Sequence, residues 1–185
     1  MKTRAVQFLF FFVCTVFAAA LQDMWPVFGG AKPPFLLALV LHWAATDRPT
    51  NDSERHPSRK RPFYAARWIP VAVFAGALED ALSGFPIGCA TGFFLLAGVS
   101  MRFMRSTAAT LSPAAFGLLA VTLAAPLHEL WLAVWGVAGD DPAPIIRFFA
   151  SAIPAAPVGA VTFFLMPRLE KNVGFEGPEA IGGDA

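Results

Sequence analysis

Apolar residues fall in six blocks along the chain, at about 5 to 22, 34 to 46, 68 to 84, 87 to 104, 113 to 137 and 145 to 166, divided by polar or Pro/Gly-rich joints. Each block is read as a helix. Five approach the ~20 residues needed to cross a hydrocarbon core about 30 Å thick, with only a tight turn between the third and fourth. The second, Pro34 to Thr46, would rise only about 20 Å, so it thins the bilayer, borrows flanking residues or stops short. Basic residues decide between these options. If all six cross, Lys2, Arg4, Arg48, Arg55, Arg59, Lys60, Arg61, Arg67, Arg102, Arg105, Arg168 and Lys171 share one side, leaving Lys32 and Arg147 on the other. A split of 12 to 2 among the 14 basic residues follows the positive-inside rule for two cytoplasmic termini. If the second block failed to cross, the basic residues of 48 to 67 would move outside.

Composition makes the bilayer the expected solvent: 56% of the 185 residues are hydrophobic and 15% charged, with 19 Phe and 5 Trp. A net charge of +1 gives no reason to expect a nucleic-acid partner. Cys14 and Cys89 lie in separate apolar runs and read as small apolar side chains rather than a disulfide or metal pair. The expectation is therefore an all-α integral membrane protein. Residues 1 to 171 form one compact six-helix transmembrane bundle with a short second helix. A rival reading takes MKTR followed by FLFFFVCTVFAAALQ as a secretory signal, whose removal would leave five crossings. The polar stretch 46 to 67 reads as a loosely ordered cytoplasmic loop, and residues 172 to 185, rich in Gly and acids, as a disordered tail. The loop's basic patch, Arg59, Lys60 and Arg61, is either an ordinary topogenic signal or a contact for anionic lipid headgroups or a cytoplasmic partner.

Candidate chemistry centres on GALEDALSGFPIG, residues 76 to 88, which places Glu79 and Asp80 inside the third block. The apolar side chains of that block favour insertion by about 3 kcal/mol in sum, whereas one central carboxylate costs roughly 2.5 to 3.5 kcal/mol. Two acids need a shallow position, protons or partners. Counting from Trp68, Asp80 lies about 18 Å up the helix, in the outer half. Adjacent helical positions diverge by about 100°, so one acid is expected to face inward and the other to edge toward a neighbour. Glu129 in the fifth block, preceded by His128, is a further intramembrane acid, and Arg147 is the base at comparable depth. Helix rise favours pairing of Arg147 with Asp80 over Glu129. The competing reading of acids beside His128 is a proton or cation path.

Gly76, Gly84, Gly88 and Gly92 are spaced to let the third and fourth helices touch closely. Pro154 and Pro157, with Gly159 beyond, predict a kink in the sixth helix, and a broken helix of the transport kind is the alternative. No metal-ligand cluster, no nucleophile with a base at workable spacing and no phosphate-binding loop is present, which points away from an enzyme and from any cofactor.

The order of these features across about residues 5 to 170 resembles the rod shape-determining MreD family of bacterial inner-membrane proteins. WPVFGGAKPPFLLALVL resembles the family's turn into a short Leu-rich helix. In GALEDALSGFPIG, Asp80, Gly84, Pro86 and Gly88 take the positions of a family pattern. Glu129 falls at the family's helix-five acid, and Pro154 at the sixth helix's proline. Gly159 stands where the family often has Asn, and the 46 to 67 loop is longer and more charged than usual. The resemblance implies a multi-pass, non-catalytic component of the cell-elongation machinery. Its partners would be MreC and MreB type proteins and peptidoglycan synthases, of the RodA type and a class B penicillin-binding protein, with membrane lipids around it. It also implies a bundle like the substrate-binding subunit, or S-component, of energy-coupling-factor vitamin transporters. That likeness supplies the alternative function.

Overall fold

The computed structural model describes residues 2–27, 31–46, 68–104, 111–135 and 144–173. The loop beyond Thr46, with Arg59, Lys60 and Arg61, and the tail beyond 173 lie outside the described residues. Within them the chain forms six α-helices and no sheet: α1 (Lys2–Met24), α2 (Phe35–Thr46), α3 (Trp68–Ser83), α4 (Cys89–Met104), α5 (Pro113–Val134) and α6 (Pro144–Asn172). Three of these, α1, α5 and α6, are long and apolar enough to cross a membrane. Their outer faces carry large exposed side chains, including Phe8, Phe17, Leu123, Leu127, Ile153 and Val161. A soluble protein would bury such a surface; a bilayer solvates it.

The short α2 is the centre of the bundle. Its sequence FLLALVLHWAAT is apolar on every face, and each residue from Leu36 to Ala45 is buried. All five other helices pack on it. A helix that is hydrophobic all round belongs inside a structure. This accounts for its length. A lipid-facing helix of 12 residues, about 18 Å long, would be mismatched to the bilayer, but α2 has no lipid face to match.

Around α2 two pairs close on each other, α3 with α4 and α5 with α6, and α1 lies against α2 and α3. Contact between α5 and α6 depends on Gly117 and Gly159, each of which lies against the other's carbonyl oxygen where a Cβ would otherwise stand. Ser112 starts α5 by accepting a hydrogen bond from the Ala115 N–H at 3.3 Å, with Pro113 at the first helical position. Pro154 and Pro157 do not end α6, which runs through them and through Pro167 to Asn172. The apolar block stops at about 166, yet the helix continues because Met166 and Glu170 turn one more stripe inward.

Candidate functional site

The stretch 76 to 94 folds as a tight hairpin of α3 and α4, and Asp80 holds it closed. Gly84 follows the last residue of α3 with φ of 69°, a left-handed conformation that glycine adopts without strain. The Phe85 N–H then bonds back to the Asp80 carbonyl at 2.9 Å, which makes a Schellman ending for α3. Gly88 has φ of 103° and turns the chain into α4. The Asp80 side chain is fully buried. Its Oδ2 accepts from the Gly88 N–H and its Oδ1 from the Ala90 N–H, both at 2.8 Å, with the Thr91 hydroxyl 3.5 Å from Oδ2. A carboxylate on α3 thereby caps the otherwise unbonded amides at the start of α4, where negative charge is favoured.

This geometry corrects the expected partner of Asp80. Its oxygens serve the first turn of α4, and Arg147 is found instead with Glu129, close enough to interact electrostatically. Those two residues line a groove of about 460 Å³ between the end of α5 and the start of α6, with Leu130, Ala133, Ile145, Phe148 and Phe149. Counting helix rise gave the height of each residue but not its direction around the helix axis, and direction selects the partner.

Expectations for the glycines divide. Gly76 packs as anticipated: a Cβ there would meet the Thr91 backbone, with the amide nitrogen at 2.6 Å. Gly84 and Gly88 have open space around them and are needed for their φ angles, while Gly92 faces Trp131 of α5 rather than α3. Pro86 lies in the turn, its carbonyl accepting from the Cys89 N–H at 3.1 Å. Trp131 ties α5 to the same hairpin by donating from Nε1 to the Cys89 carbonyl at 2.9 Å.

Glu79 and Asp80 are both buried, although the 100° between them was expected to leave one at an edge. They point to different neighbours. Glu79 faces α5, where its Oε1 lies 3.9 Å from His128 Nε2, and α1, where Gln22 reaches it. Gln22 in turn accepts from the Leu36 N–H at 3.2 Å through Oε1. His128 is buried against the rings of Phe93 and Phe94, with centroids at 4.8 and 5.8 Å. Nearby, Lys32 and Asp23 pair at 2.8 Å on the exposed rim.

A second buried polar cluster was missed from the sequence. Glu170, near the end of α6, accepts from Trp43 Nε1 at 2.9 Å and lies 3.3 Å from His42 Nε2, both on α2. Phe163 stands edge-on to His42 at 5.1 Å, and Phe11 to Trp43 at 4.7 Å. His42 carried a legible signal, since it interrupts an apolar block as His128 does. Glu170 did not, because it sits in the polar run Arg168 to Asn172.

Among the described residues no group of three or more His, Cys, Asp or Glu is arranged to hold a metal. The polar side chains lie between helices, so what the arrangement does chemically is to fix helix against helix. Comparison of the chain with protein-family models, curated proteins and solved structures finds no match.

Proposed function

We propose that the chain is a non-catalytic scaffold of the bacterial inner membrane, a component of the cell-elongation machinery of the MreD type. In this reading all six helices cross and both termini are cytoplasmic, as the 12 to 2 split of basic residues favours. MreC and MreB type proteins and peptidoglycan synthases dock on it. The observation that carries the proposal is the filled centre: α2 occupies the axis of the bundle with ten consecutive buried residues, where a transport subunit would keep room for its ligand. Two of the three buried acids among the described residues, Asp80 and Glu170, are committed to helix-to-helix hydrogen bonds, as suits a rigid platform.

The vitamin-transporter reading keeps one observation in its favour, the groove between α5 and α6 lined by Glu129 and Arg147. Depletion in a rod-shaped host separates the two. Rounded cells, with the tagged chain co-purifying with MreC and synthases from membranes, support the scaffold. Unchanged shape with lost uptake of one vitamin supports the transporter.

A further inference from the structure

A carboxylate and an imidazole taken out of water lose hydration that only hydrogen bonds or shared protons replace. Glu79 and His128 are 8% and 6% exposed, and their facing atoms, Oε1 and Nε2, stand 3.9 Å apart. That exceeds hydrogen-bond reach, and His128 Nε2 has no hydrogen-bond partner. The Phe93 and Phe94 rings hold the imidazole in place. On its other side Glu79 faces a cavity of about 10 Å³, the space of a single water. Gln22, Asp23, Lys32 and Ser83 line it, with Ala19, Leu36 and Leu82. The Asp23–Lys32 pair, about half exposed, forms the mouth of this cavity. Glu79 thus has a dry side toward His128 and a wet side toward one end of the bundle.

We propose that Glu79 and His128 form a proton-binding site, loaded from water at the Asp23–Lys32 mouth, in which a single proton is held between Glu79 Oε1 and His128 Nε2. The loaded pair is either a neutral carboxyl beside a neutral imidazole or a carboxylate beside an imidazolium. Both carry zero net charge, and in each a proton on one of the two facing atoms can be donated to the other across the 3.9 Å gap. The empty pair leaves one buried negative charge. Uptake of one proton from bulk water therefore removes a buried charge and draws α3 toward α5; release returns the proton through the same mouth. Asp80, Glu129 and Lys32 lie close enough to Glu79 to act on it electrostatically, and Asp80 acts on His128 as well, but each of the three has a partner of its own. Asp80 of α3 is held by α4 amides, Glu129 of α5 stands with Arg147 of α6, Asp23 of α1 pairs with Lys32, and Cys89 of α4 is within electrostatic reach of both Asp80 and Glu79. A site that binds a proton inside a scaffold would let its packing respond to acidity on one side of the membrane.

The test uses the full chain in detergent micelles with isotope-labelled histidine. Imidazole resonances, assigned to His128 by H128Q, and the infrared band of a protonated carboxyl are followed between about pH 5 and about pH 8. The expected result is one shared transition for ring and carboxyl. E79Q should remove the carboxyl band and displace the imidazole transition by about tenfold or more in proton concentration. Separate transitions in the wild-type protein, or an imidazole transition that E79Q leaves in place, would overturn the proposal. Should either variant fail to fold, coincidence of the two signals in the wild-type chain decides alone.

Discussion

Replacing Asp80 with Asn probes the hairpin with a change of one atom. The carboxylate accepts two backbone N–H bonds at 2.8 Å, one on each oxygen, and is fully buried. Asn keeps one acceptor and turns an NH2 toward the other amide, so one charge-assisted bond, worth about 1.5 to 3 kcal/mol, becomes a donor facing a donor. The orphaned N–H adds about 1 to 3 kcal/mol of its own. Asp80→Asn should therefore destabilise the bundle by about 3 to 5 kcal/mol, and Asp80→Ala, which strips both bonds, by at least as much. At 1.4 kcal/mol per factor of ten, this lowers the folded-to-unfolded ratio by roughly two to three and a half orders of magnitude. Reversible unfolding in mixed detergent micelles measures the loss, and abundance in membranes should fall with activity. A variant within about 0.5 kcal/mol of the wild type would refute the capping role. Full abundance with lost activity would instead make Asp80 a docking residue.

Three further substitutions test the packing around that hairpin and at the buried Glu170. Gly76→Ala places a methyl against the Thr91 backbone, which cannot move aside, and should cost about 2 kcal/mol or more in the same unfolding measurement, whereas Gly92→Ala meets only a Trp131 ring atom at 3.5 Å and should cost less than about 1 kcal/mol. Trp43→Phe keeps the ring contact with Phe11 but removes the 2.9 Å bond to Glu170; a loss of about 1 to 3 kcal/mol is expected, and indifference would show that His42 suffices to satisfy that carboxylate.

The helices were legible because each is an apolar block, and burial in lipid or in protein demands the same side chains. That equivalence also hid the role of α2: FLLALVLHWAAT reads as a short crossing or as a core, and only the packing of all five neighbours decides. Asp80 was legible as an inward acid next to a glycine turn. Its partners were not, since they are backbone amides, which every residue carries and no sequence advertises. Glu170 was hidden by its setting among Arg168, Lys171 and Asn172, where the inward member of a charged run is set by the helix's rotation against α2. Gly84 and Gly88 looked like contact residues by spacing, but their positive φ angles show a turn requirement that spacing alone does not separate from packing.

The enclosure of α2 has a consequence for how the protein is made. A 12-residue helix, about 18 Å long and enclosed on every side, is too short to match a bilayer by itself until its neighbours arrive. It is synthesised well before α6, and Trp43 waits for an acid 127 residues further on. Until α6 is delivered, the middle of the bundle stays open, with a buried indole N–H and an imidazole lacking their acceptor. A chain cut before Glu170 would thus present the membrane's quality-control proteases with an unfinished interior, so that the last turn of α6 certifies the assembly of the helices around α2.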